Sequence, residues 1–382
     1  MIYADNASTT KISEYAFSQM LPFLQEVYGN ASSQYSFGTK ARRAIELSRQ
    51  QTAKAIGANL SEIVFTSGGT EGNSWVLQGI ATHYSNEPIH IVTTAIEHHS
   101  VLSACRELET RGVSVTYIPV NENGCVSVSD VEMALCANTK LVSVMFANNE
   151  VGTIQPITEI AKMLQKHGVL FHTDAVQAVG HIPVHVKDLQ VDILTASAHK
   201  FNGAKGTGFV FIKDGVKIPK SMFGGTQEHG KRAGTENVAG IVALGCALEE
   251  CISSMDSEQK RLTLLSQITV KKLKEKIPEL RVNAENCDRL PGLLNFTFPD
   301  VSGEALMHLL DLKGICVSTS SACNAGSDEP SHVLLALGLT EQQTKSSIRI
   351  SYGRYNIQSD VDYIVKAIFE NYKITKSAKN CL

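Results

Sequence analysis

Short apolar runs alternate with amphipathic, helix-like segments over roughly residues 60–215. Seven of these runs are rich in Val and Ile and lie between turn-forming residues, which predicts strands. The predicted strands are Glu62–Thr66, His90–Thr94, Val113–Pro119, Leu141–Phe146, Val169–His172, Ile193–Ala196 and Gly208–Ile212. Strands that alternate with helices favour a mostly parallel sheet covered on both faces, with ligands beyond the carboxyl ends of the strands.

The pattern changes after about residue 255. The predicted elements there are a charged helix from Ser257 to about Ile277, strands at Leu293–Phe298, Ile315–Ser318 and Ser347–Ser351, and a closing amphipathic helix at Ser359–Tyr372. We therefore expect an α/β fold with a large domain at 11–255. Residues 1–10 and 256–382 should form a smaller α+β domain beside it.

Composition is that of a soluble globular enzyme, with 43% hydrophobic and 19% charged residues and a formal net charge of −3. This charge gives no reason to expect direct binding to nucleic acid or to a membrane. The first residues lack the pattern of a secretory signal, and the apolar stretch 241–248 is too short to span a bilayer. We expect a cytoplasmic protein.

The nine Cys residues contain no Cys-x-x-Cys pair, so we predict reduced thiols and no resident metal site.

An acid and a lysine follow neighbouring predicted strands. Asp174 ends the run that begins at Val169, and Lys200 follows the run 191–199. A Lys amine can condense with the aldehyde of pyridoxal phosphate while a carboxylate pairs with the pyridinium nitrogen. The two residues therefore predict a pyridoxal phosphate site. Gln177 would lie on the same side of the next turn as Asp174 and is a candidate partner for the cofactor's phenolate oxygen.

Three further predicted strands end in polar or Gly-rich segments. Ser67-Gly-Gly-Thr-Glu-Gly72 fits either an ordinary turn or a phosphate cup at a helix start, with Gly69 and Thr70 as contacts. His98 is either structural or a flat ring that stacks on a cofactor and shuttles a proton. Asn149 either makes an Asx turn or binds the cofactor's phenolate oxygen or a substrate carboxylate. Ser197 and His199 either cap a turn or reach the cofactor phosphate.

Two segments resemble loops that bind anions. Gly225-Thr-Gln-Glu-His-Gly230-Lys231 matches most of a nucleotide-binding P-loop, but Arg232 follows it where Ser or Thr is required. The segment Arg232-Ala-Gly-Thr235 is more typical of a phosphate-contacting loop.

Arg354 makes either a surface ion pair or a bidentate contact with an amino-acid carboxylate.

Cys323 lies in Ser318-Thr-Ser-Ser-Ala-Cys323-Asn-Ala-Gly-Ser327, where almost every residue is small. Such a segment has no apolar face to anchor it, and we expect an exposed, mobile loop. A thiol there is either one more buried cysteine or a nucleophile that collects a group at one site and delivers it elsewhere.

Taken in order, these motifs resemble the cysteine desulfurases of the NifS/IscS type, within the class V aminotransferase family of pyridoxal-phosphate enzymes of fold type I. The resemblance rests on motifs from one end of the chain to the other: Asp5-Asn-Ala-Ser-Thr-Thr10, Phe65-Thr-Ser-Gly-Gly-Thr-Glu71, Glu97-His98, Asn148-Asn-Glu-Val-Gly152, His172-Thr-Asp-Ala-Val-Gln177, Ser197-Ala-His-Lys200, Arg232-Ala-Gly-Thr235, Ser321-Ala-Cys323 and Ser347-Ile-Arg-Ile-Ser-Tyr-Gly-Arg354. Ala31 and Tyr35 stand where the family usually has Pro and His.

The resemblance implies a role for each candidate. Lys200 carries the cofactor and acts as acid and base. The ring would be held by Asp174, Gln177 and His98, the phosphate by Thr70, Ser197, His199 and the partner subunit's Thr235, and the substrate carboxylate by Asn149 and Arg354. Cys323 would take sulfur from L-cysteine as a persulfide and release alanine.

The resemblance also implies a homodimer and a protein that accepts the sulfur, either an iron–sulfur scaffold or a thiolation enzyme. Cys323 could serve such a scaffold as a transient cluster ligand. Three alternatives stay open at this point. They are a selenocysteine lyase, an aminotransferase of the same fold, and a catalytically idle protein that only assembles partners.

Overall fold

The computed structural model describes residues 1–220, 222–319 and 329–379. The strands are β1 (Ile2–Tyr3), β2 (Ile63–Thr66), β3 (His90–Thr94), β4 (Ser114–Ile118), β5 (Thr139–Ser143), β6 (Leu170–Asp174), β7 (Ile193–Ser197), β8 (Gly208–Ile212), β9 (Arg281–Val282), β10 (Leu293–Thr297), β11 (Ile315–Cys316), β12 (Ser318–Thr319) and β13 (Ser347–Ser351). The α-helices are α1 (Glu14–Met20), α2 (Pro22–Gln25), α3 (Ser36–Ile56), α4 (Gly69–His83), α5 (His99–Thr110), α6 (Val128–Met133), α7 (Ile157–His167), α8 (Val186–Leu189), α9 (Val238–Lys276), α10 (Gly303–Asp311), α11 (His332–Ala336), α12 (Glu341–Lys345) and α13 (Gln358–Lys379).

The largest sheet has seven strands in the order β2-β8-β7-β6-β5-β3-β4. The strands from β7 to β4 run parallel, and β8 runs antiparallel to both β2 and β7. The predicted α/β fold with a mostly parallel seven-stranded sheet is therefore confirmed. The predicted strand Leu141–Phe146 begins and ends earlier, at Thr139–Ser143, because the apolar residues 144–146 stay buried after the chain has left the sheet.

Both faces of this sheet are covered, which explains the unbroken apolar runs. Neighbouring residues on β2 show it, since Val64 belongs to one buried cluster and Phe65 to another on the opposite face. All residues of β2, β3, β7 and β8 are buried. Parallel strands buried in this way bring their carboxyl ends to one edge of the sheet, where polar side chains can converge.

A second sheet of four antiparallel strands, in the order β12-β13-β10-β9, forms in the C-terminal third of the chain. Its buried cluster includes Phe296, Ile348 and Ile350, together with residues of α10 and α13. On β13 the two Ile residues alternate with Ser347, Arg349 and Ser351. Because side chains on a strand alternate between faces, Arg349 points away from this apolar cluster.

Helix α9 is longer than predicted, with 39 residues from Val238 to Lys276. Its first half packs in the core of the large sheet, and Leu262, Leu265 and Leu273 pack in the core of the smaller one. The change of pattern near residue 255 thus marks a change of neighbouring core within one continuous helix. By length and composition α9 could cross a membrane, but 67% of its most apolar window is buried within the protein.

A buried ion pair covers the edge strand β2. The two guanidinium nitrogens Nη1 and Nη2 of Arg49 donate to the carboxylate of Glu228 at 2.9 and 2.8 Å. Arg49 also donates to the carbonyl oxygen of Ile63, and Glu228 accepts from the amide of Phe65. The pair therefore satisfies backbone groups that an edge strand leaves without partners. Glu228 belongs to the segment that resembled a P-loop.

A second buried carboxyl group links the end of β3 to the segment that follows β5. Glu97 Oε1 accepts from Thr94 Oγ1 at 2.7 Å and from the amide of Met145 at 2.9 Å. Burial raises the pKa of Glu97 to about 8. Glu97 Oε2 has no hydrogen-bond partner among the described residues, which favours the protonated form further.

Replacing Glu228 by Ala should lower the free energy of unfolding by about 3–5 kcal/mol. The guanidinium group of Arg49 would remain buried, with only the half-exposed carboxylate of Glu46 at its Nε as a counterion. Urea denaturation followed by circular dichroism measures the change. The matched control is Glu107→Ala, which removes an exposed pair with Arg111 and should cost at most about 0.5 kcal/mol. Equal losses in the two variants would contradict the role given to the buried pair.

Replacing Glu97 by Gln should stabilise the protein increasingly as the pH rises. A carboxyl group whose pKa is higher in the folded chain stabilises the fold below its unfolded pKa, and this contribution is lost as the pH rises through the folded pKa. For Glu97 the loss falls between about 4.5 and about 8. Gln imitates the neutral carboxyl group at every pH, so the variant should keep this stabilising contribution.

The difference in unfolding free energy between Glu97→Gln and the parent should therefore grow by at least about 1.4 kcal/mol across this window. Urea denaturation at pH values below, within and above the window measures it, and other titrating groups cancel in the difference. A difference that does not change with pH would show that Glu97 is not held protonated.

Candidate active site

A cavity of about 340 Å³ lies beyond the carboxyl ends of the parallel strands. It is lined by Ala7, Ser8, Gly69, Thr70, Asn73, His98, Ser100, Met145, Ala147, Asn149, Asp174, Val176, Gln177, Ser197, His199, Lys200 and Arg349. Most of the candidates identified from the sequence thus meet at one place. The exceptions are Thr235 and Arg354, which do not line it, and Cys323, which lies outside the described residues.

Asp174 ends β6 and is 5% exposed. Its Oδ1 accepts from the amide of Val176 at 2.9 Å, and its Oδ2 accepts from Asn73 Nδ2 at 2.7 Å. A buried carboxylate needs such donors to remain ionised. These contacts fix the orientation of the carboxylate and leave lone pairs for a cationic group in the cavity.

Lys200 lies in a short 3₁₀ turn directly after β7. Its Nζ donates to the carbonyl oxygens of Ala7 and Ser8 at 2.6 and 2.7 Å. Its own carbonyl oxygen is 2.9 Å from His181 Nε2, so the backbone at this position is fixed by a side chain as well. The amine therefore contacts the N-terminal segment across one wall of the cavity.

Two imidazole rings line the cavity near Lys200. Burial lowers the pKa of His98, and Asp174 opposes this effect. Burial also lowers the pKa of His199 to about 4, and the ammonium group of Lys200 contributes to the shift. His199 Nδ1 is 3.1 Å from Thr9 Oγ1. Both rings are accordingly neutral near pH 7, and they serve as hydrogen-bonding or stacking groups.

The amino end of α4 faces the same cavity. The residue before the helix, Gly68, has φ 149° and gives the helix no side-chain cap. A Cβ on Gly208 would lie 2.7 Å from Gly68 Cα. The backbone of β8 therefore comes so close to this turn that only Gly fits at position 208. Uncapped amides at a helix start attract an anion. Thr70 lies in the first turn of α4, and Ser197 Oγ would be 3.3 Å from a Cβ built on Gly68.

Gln177 and Asn149 are both buried, and both contact the chain as well as the cavity. Gln177 Nε2 donates to the carbonyl oxygen of Ala7 at 2.9 Å. The carbonyl oxygen of Asn149 accepts from Arg349 Nη1 at 2.8 Å. The amide side chain of Gln177 therefore helps to hold the N-terminal segment against the site.

Arg354, predicted to bind a substrate carboxylate, lies outside the cavity. Its Nη1 is 2.7 Å from Glu250 Oε2, and its Nη2 approaches Cys251 Sγ at 3.7 Å, so it joins the 353–356 turn to α9. Arg349 lines the cavity instead. The alternation of side chains on β13 explains why Arg349 lines the cavity, because it turns this residue toward the site. Arg354 lies in the turn that follows the strand.

Arg349 is 3% exposed and contacts three groups around the site. Its Nη2 donates to Asp5 Oδ1 at 2.7 Å and to Ser8 Oγ at 2.5 Å, in addition to the bond with Asn149. Its Nε is buried with no hydrogen-bond partner among the described residues. A guanidinium group with an unused donor at a cavity wall suits a carboxylate ligand.

Thr235 lines a separate cavity of about 120 Å³ together with Ser67 and Arg232. Arg232 donates from Nε and Nη2 to the carboxylate of Glu71 at 2.9 and 3.2 Å, and Glu71 also accepts from the amide of Ser67. The Arg232–Thr235 loop is thereby fixed to the turn that begins α4. Within the described ranges no group of three or more His, Cys, Asp or Glu side chains is arranged to bind a metal ion.

Four polar residues at the cavity were missed in the sequence, namely Ser8, Asn73, Ser100 and Arg349. A local signal existed only for Arg349, since a charged residue between two Ile residues in a predicted buried strand must face a polar site. Asn73 and Ser100 lie within the first turns of α4 and α5. Their contacts depend on how these helices pack against β6, which no local pattern indicates.

The comparisons with known proteins agree with this geometry. The family model for aminotransferase class V matches residues 2–364. A curated relative, cysteine desulfurase IscS of Clostridium botulinum strain Hall, is 46% identical over 369 residues, which cover 96% of this chain and 93% of the relative.

Two solved structures share the fold closely. A NifS-like protein superposes with a TM-score of 0.92 at 37% identity, covering 98% of this chain and 99% of the other. SspA, solved in complex with cysteine, superposes with a TM-score of 0.84 at 33% identity, covering 94% of this chain and all of the other. The chain belongs to the class V aminotransferase family and, within it, to the NifS/IscS-like cysteine desulfurases.

Proposed function

We propose that the protein uses pyridoxal phosphate to convert L-cysteine to L-alanine and collects the sulfur as a persulfide on Cys323. The observation that carries this proposal is the convergence of Lys200, Asp174 and the uncapped start of α4 on one cavity. The family supports it, because class V aminotransferases and cysteine desulfurases depend on pyridoxal phosphate.

The cavity fits a phosphorylated pyridine cofactor. Its volume of about 340 Å³ is in the range of small-molecule sites, which begins at about 300 Å³. The open amides at the start of α4, with Thr70, Ser197 and His199, would bind the phosphate. In the same cavity the carboxylate of Asp174 has lone pairs left for a protonated ring nitrogen.

The remaining walls match the flat ring of such a cofactor. His98 would stack on its face, and Gln177 would bind its phenolate oxygen. The amine of Lys200 would form the covalent attachment and later move protons at the substrate. When bound, pyridoxal phosphate supplies an electron-withdrawing ring that stabilises negative charge at the α-carbon of an amino acid.

The substrate carboxylate would bind to Arg349 and Asn149. Arg349 is held by Asp5, Ser8 and Asn149, so its position is fixed before any ligand arrives. Its Nε is the donor without a partner in the described structure. A fixed guanidinium group lowers the entropic cost of orienting the amino acid above the lysine.

Cys323 would take up the sulfur. Its thiolate would attack the sulfur of the bound cysteine, so that a sulfur–sulfur bond forms while the carbon–sulfur bond breaks. The electron pair of the broken bond stays with the carbon, which takes a proton and leaves as part of alanine. Cysteine is the ligand in the solved complex of the related SspA, which supports it as the substrate.

We also propose a cytoplasmic homodimer that passes sulfur to an acceptor protein for iron–sulfur cluster assembly or thiolation. The support is the relatives' name, IscS, and the position of Thr235 on a surface loop beside the start of α4. There it could reach the phosphate site of the partner subunit.

Replacing Cys323 by Ala should abolish the persulfide and the release of alanine from cysteine, while the absorbance of the lysine-bound cofactor is retained. Mass spectrometry after incubation with cysteine locates the persulfide, and amino-acid analysis measures alanine. Cys136→Ala is the matched control, since it removes an exposed thiol elsewhere in the chain and should leave both products unchanged.

Each other outcome identifies a different alternative. Alanine produced from cysteine at the parent rate by Cys323→Ala would contradict the role of this thiol. Activity on selenocysteine alone would favour a selenocysteine lyase. Failure of the parent protein to bind pyridoxal phosphate would favour an idle scaffold and overturn the proposed function.

Replacing Arg349 by Lys should raise KM for cysteine by about 10-fold or more, because Lys keeps the charge but loses the planar set of donors. Arg354→Lys is the matched control. It lies outside the cavity, and its KM should stay within about twofold of the parent. The reverse pattern in steady-state kinetics would assign the carboxylate to Arg354.

A further inference from the structure

The ring nitrogen Nδ1 of His98 is approached by two groups of Ser100. The backbone amide of Ser100 donates to Nδ1 at 3.1 Å, and Ser100 Oγ lies 2.8 Å from the same nitrogen. An amide N–H can only donate, so Nδ1 must offer its lone pair. A neutral imidazole carries one proton, which is therefore on Nε2.

A second step fixes the direction of the hydroxyl group. Asn73 Nδ2 lies 2.8 Å from Ser100 Oγ and 2.7 Å from Asp174 Oδ2. The carboxylate can only accept, which requires that the nitrogen of the Asn73 amide face both partners. Since Asn73 donates to Ser100 Oγ, the hydroxyl hydrogen of Ser100 is free to donate to His98 Nδ1.

These links connect the carboxylate to the ring through Asn73, which donates in both directions. Asn73 uses both hydrogens of its amide nitrogen, and Ser100 passes its own hydrogen to His98. Asn73 is 1% exposed, Asp174 5% and Ser100 9%, so little water competes for these bonds. In such surroundings these hydrogen bonds hold their members in one arrangement, although Asn73 Oδ1 has no partner among the described residues.

The other nitrogen of the ring has no partner in the described structure. His98 lines the cavity, and no described residue forms a hydrogen bond with its Nε2. Protonation of Nδ1 would place a hydrogen against the amide hydrogen of Ser100, so the network opposes the doubly protonated ring. Nδ1 is equally unable to accept a proton from a substrate while both donors are in place.

We propose that Asn73 and Ser100 are positioning residues that hold His98 as the neutral tautomer protonated on Nε2 and tie it to Asp174. His98 then presents a hydrogen-bond donor to the cavity and does not act as a general base. Proton removal from the substrate falls to Lys200. This last consequence rests on the proposed function, whereas the tautomer itself does not.

The tautomer is tested by nitrogen-15 NMR of protein labelled at histidine, with and without added pyridoxal phosphate. We expect a protonated Nε2 and an unprotonated Nδ1 for His98, whose signals are assigned by their loss in His98→Gln. A protonated Nδ1 in the parent would overturn the proposal. Failure of pyridoxal phosphate to bind would overturn the proposed function and leave this measurement intact.

Replacing Ser100 by Ala tests the positioning role. Nδ1 loses one of its two donors, so its chemical shift should move while Nε2 stays protonated through the backbone amide. We expect kcat to fall about 2- to 10-fold, the equivalent of one hydrogen bond, with KM for cysteine unchanged. Ser100→Thr keeps the hydroxyl group and should restore both the shift and kcat.

The matched control is Ser103→Ala, which removes an exposed hydroxyl group from the same helix and should change neither quantity. An unchanged Nδ1 shift and kcat in Ser100→Ala would contradict the proposal. So would a loss of activity that comes with lower thermal stability and that Thr does not restore, because a purely structural role would explain it.

Discussion

The site depends on one buried carboxylate. Asp174 is almost inaccessible to water at the end of β6, and an ion in that position is tolerated only with fixed donors around it. The amide of Val176 and the side chain of Asn73 supply them. Since Asn73 comes from α4 and Ser100 from α5, this requirement aligns two helices with β6. It thereby places the uncapped start of α4, the ring of His98 and the lysine around one cavity.

Much of this arrangement could be predicted from the sequence. Strands buried on both faces appear as apolar runs, so β3 and β8 occur at the predicted residues. Polar residues after such runs must meet at the carboxyl edge of the sheet, which is why Asp174, Lys200 and His98 were found. Family motifs assigned contacts with a ring, a phosphate and a carboxylate to these and other residues, and all of these roles, like those of Thr235 and Cys323, stay predictions.

The differences between the expected and the observed positions have physical causes. Arg354 follows β13 and Arg349 lies within it, and only the alternation of side chains tells which one faces the site. Asn73 and Ser100 act through partners that are distant in sequence, and an Asn or Ser in a helix carries no sign of its tertiary contacts. The charge pattern near residue 255 resembled a helix start, but the apolar segment before it belongs to the same helix and packs in another core.

Because α9 is continuous, the number of residues between the two cores sets the direction in which its side chains point as well as the distance between the cores. Successive residues of an α-helix are turned by about 100° around its axis. One residue inserted in α9 near Asp256, between the two packed halves, would swing Leu262, Leu265 and Leu273 away from their neighbours, even though no side chain had been replaced. Evolution can therefore vary the residues of this segment far more freely than their number.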